Sequence, residues 1–210
     1  AEISNAPSQR ILSIDIVRGL TLLLMLFVND LYMPGVPAWL GHTEANFDGM
    51  GLADWVFPSF LFMVGISIPY AIDARRRKGE SMARVMLHLL WRTLSLICIG
   101  VVLLNTGRIN PEMTGISKAT WRWLFYLFLF MLWNAYPRES RYGLLFKVLR
   151  AIGFVGIIVL LAIYRAGTPE EPQWLAPQWW GILGLIGWGY LVSALVSVAT
   201  RGTIVGALAG

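Results

Sequence analysis

The chain has 210 residues, of which 57% are hydrophobic and 14% charged, and its mean hydropathy is +0.63. A soluble domain carries about 25% charged residues, so this composition excludes a soluble globular enzyme and also a disordered chain. The single cysteine, Cys98, excludes a disulfide framework and a cysteine-based zinc site, and we predict no metal site. The net charge of +5 does not indicate nucleic-acid binding, because the basic residues flank apolar runs.

Six apolar runs have a length close to the roughly 20 residues that a membrane-spanning helix needs. In chain order they are Ile14–Met33, Asp54–Ile72, Ala83–Leu104, Trp121–Tyr136, Leu144–Tyr164 and Trp179–Thr200. The first run lacks a small-residue cleavage site, which favours a retained span over a signal peptide. The predicted fold is therefore an all-α polytopic membrane protein with about six transmembrane helices, in which residues 1–210 form a single transmembrane domain.

The positions of Lys and Arg predict a cytoplasmic N terminus, because basic residues accumulate on the cytoplasmic side of membrane proteins. In this orientation 13 of the 17 basic residues lie in or near cytoplasmic segments. The four toward the outside are Arg108, Lys118, Arg122 and Arg165. Segments 34–52, 105–120 and 166–178 then face the exterior. We expect an integral membrane protein that is surrounded by membrane lipid.

Ionisable residues inside membrane spans are costly and therefore mark candidate functional sites. Asp15 and Arg18 lie three residues apart in the first span, so they share a helix face and can form an ion pair. The alternative is that Arg18 lines a cavity for an anionic ligand.

A second polar group lies where the first span ends and the second begins. Asn29 and Asp30 close the first span, and His42 follows in the first outside loop. Asn29 could fix the tautomer of a catalytic imidazole, or it could simply end the helix while His42 is a solvated loop residue. Asp54 is expected to be the N-cap of the second span, and a catalytic or orienting role is also open.

The third polar group is basic and lies near the inner side. His88 and Arg92 are four residues apart and share one face of the third span. They could form a polar stripe between helices or, together with Arg75, Arg76 and the following basic residues, a wall that binds a phosphate-bearing cofactor. The 75–78 run alone is explained by topology.

The stretch RILSIDIVRGLTLLLMLFVND, a loop containing His42, and GLADWVFPSFLFMVGISI together resemble the heparan-alpha-glucosaminide N-acetyltransferase family and its bacterial relatives. The similarity is close over residues 10–68 and weaker through HLLWRTLSLICIGVVLLNTG. The resemblance implies multi-span enzymes that take acetyl from cytoplasmic acetyl-CoA and deliver it to the amino group of a terminal glucosamine on the other side.

The resemblance also implies site residues at matching positions. His42 corresponds to the catalytic histidine of the first outside loop, and Asn29 to its partner. Asp15 and Arg18 match the family's S-x-D-x-x-R-G motif, and Asp54 matches A-D-x-V-F-P. The catalytic set is therefore His42, Asn29 and Asp54.

The residues predicted to bind acetyl-CoA come from two sources: the positions of ionisable residues in the spans and the resemblance to the family. They are Arg18, Asp15, Arg92, His88, Arg75 and Arg76.

Two departures from the family pattern stand out. The region GRINPEMTGISKATWRW lacks an R-I-P-G-V-L-Q-R motif that many members carry after the third span. Six spans are also fewer than the ten or more of the family, so we expect the N-terminal part of a longer fold.

The predicted function is thus a transmembrane acetyltransferase with an amino sugar or glycan as acceptor. The alternatives are an O-acyltransferase of surface polysaccharide and a non-enzymatic transporter or scaffold. A homo-oligomer, and the choice between a ternary complex and an acetyl-histidine intermediate, are left open.

Overall fold

The computed structural model describes residues 12–32, 35–44, 46–137 and 141–200. The helices are α1 (Leu12–Asn29), α2 (Leu52–Arg77), α3 (Met82–Asn105), α4 (Pro111–Thr114), α5 (Lys118–Trp133), α6 (Gly143–Ile163) and α7 (Gly181–Ala199). Short 3-10 helices cover Ala38–Leu40 and Thr106–Arg108, and a two-stranded antiparallel sheet pairs β1 (Ala166–Gly167) with β2 (Pro172–Gln173). The predicted all-α membrane fold is confirmed.

Five of the described helical segments are long and apolar enough to cross a membrane: α1, α2, α3 with its 3-10 extension to Arg108, α6 and α7. The fourth predicted span, Trp121–Tyr136, is the 16-residue helix α5. It is about 24 Å long, shorter than the roughly 30 Å hydrocarbon core. The predicted end of the first span, Met33, lies outside the described residues.

The described chain divides into two compact units. The first comprises the residues up to Ile97 and those from Leu185 onward. Its helices α1 and α2 pack together, and its core is formed by Ile68, Ile72, Val85, Leu89, Tyr190 and Ala194. The prediction of one transmembrane domain over residues 1–210 stays a prediction.

The second unit, Cys98–Gly184, is built on the packing of α5 against α6. Trp121 stacks on Phe125 with ring centroids 5.6 Å apart, and its indole N–H donates to the Leu160 carbonyl. The Tyr164 hydroxyl donates to the Asn105 carbonyl at 3.0 Å.

Two of the segments predicted to lie outside are joined within this second unit. Ile109 forms a β-bridge with Ala166. The fully buried Asn105 amide donates to the Ala176 carbonyl at 2.7 Å and accepts from the Ala176 N–H at 3.3 Å. Segments 105–120 and 166–178 therefore lie at the same end of the unit, as a common side of the membrane requires.

Gly100 allows α3 to approach the start of α7 closely, so we expect Gly100→Ala to destabilise the protein. An added Cβ would lie 2.4 Å from the Gly184 nitrogen and 2.7 Å from the Trp180 carbonyl oxygen. Both atoms belong to the backbone and cannot rotate away. The expected loss is about 1–3 kcal/mol of unfolding free energy, measured by denaturation in detergent.

Gly19→Ala is the matched control for this substitution. Gly19 also lies inside a helix, but an added Cβ there would meet nothing within 4 Å. We expect this change to be neutral, or stabilising by up to about 1 kcal/mol. Equal stability of the two variants would contradict the role assigned to Gly100.

Candidate active site

His42 lies in the loop between α1 and α2, next to the first turn of α2. Gly51 is the N-cap of α2 and packs against the backbone of Gly41. A Cβ at position 51 would lie 1.9 Å from the Gly41 carbonyl oxygen, so only glycine fits at this contact. The close approach of these two glycines holds the 41–43 segment beside the N terminus of the helix.

Asp54, at the third position of α2, is the acceptor at the centre of the site. Its Oδ1 accepts from His42 Nδ1 at 2.6 Å. Its Oδ2 accepts from the Gly51 N–H at 2.9 Å, the Thr43 N–H at 3.1 Å and the Thr43 hydroxyl at 3.0 Å. These donors and the positive end of the helix dipole favour the ionised carboxylate.

The hydrogen bond to Asp54 determines which nitrogen of His42 can react. An ionised carboxylate only accepts, so Nδ1 of the neutral ring carries the proton and Nε2 presents a lone pair. The His42 side chain is 77% exposed whereas that of Asp54 is 22% exposed. The pair therefore has the form of a general base or nucleophile held by a less accessible carboxylate.

One expectation about the neighbours of His42 differs from the structure, and a second is not supported by the hydrogen bonds of the ring. The N-cap of α2 is Gly51 rather than Asp54, because the helix begins earlier, at Leu52, where Gly41 and Gly51 meet. Asn29 is the exposed last residue of α1. Among the described residues, the His42 ring donates its hydrogen bond to Asp54 and not to Asn29. The orienting role of Asn29 stays a prediction.

Arg75 and His88, two of the predicted basic residues, meet near the other end of α2, and Arg92 lies four residues after His88 on α3. Arg75 Nη1 donates to Glu80 Oε2 at 2.9 Å, and its Nη2 donates to His88 Nε2 at 2.9 Å. Because a guanidinium cannot accept, the His88 ring accepts through Nε2. The Arg92 guanidinium carbon lies 5.1 Å from the ring centroid of Tyr190 on α7, a cation–π contact.

The remaining predicted residues are on the surface of the first unit. Arg76 is exposed in the last turn of α2. Arg18 pairs with Asp15 at 2.9 Å, so the structure contains the ion pair expected from their spacing. The binding of acetyl-CoA by these residues stays a prediction.

Three residues of these clusters were not predicted from the sequence: Thr43, Glu80 and Tyr190. The position of Thr43 directly after His42 could have indicated that it belongs to the site. Glu80 lies five residues after Arg75, across the turn that joins α2 to α3, and no helical spacing relates the two. Tyr190 lies about 100 residues from Arg92, so tertiary packing alone brings them together.

Comparisons with known proteins agree with the resemblance found in the sequence. The family model described as Domain of unknown function (DUF5009) matches residues 10–173. Heparan-alpha-glucosaminide N-acetyltransferase of Mus musculus is 36% identical over 104 residues, which are 50% of this chain and 15% of the mouse protein. The Homo sapiens protein of the same name is 38% identical over 101 residues, 48% of this chain and 15% of the human protein.

The matched region thus spans about 15% of the length of these curated relatives. No solved structure matches the chain significantly. The family model covers most of the chain, and the two relatives confirm the similarity that the motifs indicated. The chain belongs to the DUF5009 family and is a relative of heparan-alpha-glucosaminide N-acetyltransferase.

Proposed function

We propose that this chain carries the acetyl-transfer site of a membrane acetyltransferase, which moves acetyl from cytoplasmic acetyl-CoA to the amino group of a sugar or glycan on the outer face. The hydrogen-bonded pair of His42 and Asp54 is the observation that supports this most directly. It leaves Nε2 of an exposed imidazole available beside the start of a candidate membrane span.

The proposed reaction needs a base. The acceptor nitrogen forms a bond to the carbonyl carbon of the thioester, and the carbon–sulfur bond to coenzyme A breaks. The nitrogen loses one proton, which His42 Nε2 takes up, and the coenzyme A thiolate then takes a proton from the imidazolium or from water. Alternatively, Nε2 attacks the thioester first and passes the acetyl group to the amine. Asp54 stabilises the imidazolium in the first route and orients the ring in both.

The basic residues fit the phosphates of the donor. Asp54 and Arg75 are 21 residues apart on the same helix, which places them about 31 Å apart along α2. This matches the roughly 30 Å hydrocarbon core, so the two clusters lie at opposite faces of a bilayer. Glu80 neutralises part of the charge of Arg75, while Arg92 and Arg76 form no ion pair with a described carboxylate.

The proposed setting follows the distribution of charge. The N terminus and the 75–78 basic run lie in the cytoplasm, and the His42 loop lies on the outer side of a bacterial inner membrane. This places the phosphates of acetyl-CoA on the side where it is made and the base on the side of the acceptor.

The test is acetyl transfer across a sealed membrane. The full-length protein is reconstituted in liposomes loaded with radiolabelled acetyl-CoA, and either glucosamine or N-acetylglucosamine is supplied outside. We expect labelled product outside with glucosamine, whose amine is free, and none with N-acetylglucosamine. Equal labelling of both sugars would indicate transfer to a hydroxyl, and no labelling of either by folded protein would overturn the proposal.

A further inference from the structure

A cavity of about 490 Å³ opens on the second unit, and none of the residues predicted for acetyl transfer is in its lining. Its lining includes Arg108, Asn110, Glu112, Lys118 and Gly167. The volume lies within the range of about 300–1,000 Å³ that is typical of small-ligand sites. Arg108 and Lys118 are two of the four basic residues that the sequence predicts on the outer side of the membrane. The proposed function does not use them.

The wall of this cavity is held by hydrogen bonds between two chain segments. The Asn110 side chain donates to the Gly167 carbonyl at 2.9 Å, and its backbone N–H donates to the Arg165 carbonyl at 2.9 Å. The same side chain accepts from the Glu112 N–H at 3.1 Å. Together with the bridge between Ile109 and Ala166, these contacts fix the cavity before any ligand arrives.

Two cations of this cavity, Arg108 and Lys118, donate hydrogen bonds to neutral oxygens. Arg108 Nη2 donates to Gln173 Oε1 at 2.7 Å, and Lys118 Nζ donates to the Gly107 carbonyl at 3.2 Å. Both acceptors are neutral oxygens, and neither cation forms an ion pair with a carboxylate in the part of the chain that the structure describes. With Glu112 also in the lining, the cavity carries one excess positive formal charge.

The level of the cavity along the helices indicates where its ligand comes from. Arg108 is the last residue of the apolar segment Met82–Arg108, and Lys118 is the first residue of α5. Residues at the ends of spans lie in the headgroup region of a bilayer, where lipid phosphates are concentrated. A singly charged phosphodiester matches the excess charge, whereas a doubly charged phosphate monoester exceeds it and is repelled about twice as strongly by Glu112.

We propose that this cavity binds the phosphodiester group of an anionic membrane lipid, held by Arg108 and Lys118. The inference is independent of the acetyl-transfer proposal, because the two rest on different residues.

Lipid binding by the full-length purified protein in detergent tests this proposal, with native mass spectrometry as the measurement. The probes are phosphatidylglycerol, phosphatidylcholine and inorganic phosphate. We expect phosphatidylglycerol to bind more tightly than phosphatidylcholine. Replacing both cations, as Arg108→Gln with Lys118→Gln, should weaken phosphatidylglycerol binding at least about tenfold.

Two further variants test whether the change in phosphatidylglycerol binding is specific to the cavity rather than a general effect of charge or misfolding. Glu112→Gln removes the repelling carboxylate and should strengthen phosphatidylglycerol binding by about twofold or more. Arg122→Gln removes an exposed cation of α5 that does not line the cavity and should leave binding unchanged.

Three results would overturn the proposal. One is equal binding of the two lipids, and another is undiminished phosphatidylglycerol binding by the double variant. The third is displacement of the lipid by millimolar inorganic phosphate, which would identify a site for a soluble oxyanion.

Discussion

Replacing His42 by alanine is expected to lower acetyl transfer by about 10²–10⁴-fold, the usual contribution of a positioned general base. The fold should persist because the side chain is 77% exposed, so that its removal leaves no cavity in the core. The measurements are the initial rate of acetyl transfer in reconstituted membranes and the thermal unfolding midpoint of the same preparation. Added imidazole should restore part of the activity of His42→Ala, because the free base can occupy the vacated space.

Lys147→Gln is a suitable control for this experiment. Lys147 is exposed on α6 and belongs to none of the proposed sites, so wild-type activity is expected. If His42→Ala kept full activity while Lys147→Gln behaved as wild type, another group would have to be the base. Accumulation of acetylated protein in the absence of acceptor, lost in His42→Ala, would select the acyl-carrier route over direct transfer.

The helices could be predicted from the sequence because lipid imposes a simple rule. Every apolar run of sufficient length forms a helix that satisfies its own backbone hydrogen bonds. The residues at which the helices begin and end were less predictable. The second span was expected to end at Ile72, yet α2 continues to Arg77, because charged residues do not end a helix that has left the hydrocarbon. The Ser117 N-cap starts α5 three residues before the predicted Trp121.

The candidate residues of the site could be singled out from the sequence, but the pairing of their side chains could not. The motif positions singled out His42, Asp54 and Asn29 and assigned the orientation of the ring to Asn29, whereas the structure pairs the ring with Asp54. That choice depends on the path of the loop, which the contact between Gly41 and Gly51 determines. In the same way, the helical spacing predicted that His88 and Arg92 share one face of the third span, which is α3. Which partner each contacts depends on how α2, α3 and α7 pack.

The substitution Asp54→Asn tests the positioning role of the carboxylate, and we expect it to lower activity by about 10²–10⁴-fold with little loss of stability. An asparagine has one acceptor oxygen. That oxygen is drawn toward the Gly51 N–H, the Thr43 N–H and the Thr43 hydroxyl, which all converge on Oδ2. The amide NH₂ then faces His42 Nδ1 and donates to it. The ring is forced into the other tautomer, in which Nε2 carries a proton and can no longer act as a base.

A double variant distinguishes this positioning role from a purely structural one. If Asp54 acts through the ring, adding Asp54→Asn to His42→Ala should cost nothing further, because residues that act as a unit show non-additive effects on rate. If Asp54 only supports the start of α2, the two losses should multiply, and the unfolding midpoint of Asp54→Asn should fall as well. Transfer rates and unfolding midpoints of the two single variants and the double variant therefore decide whether the carboxylate serves the imidazole or the helix.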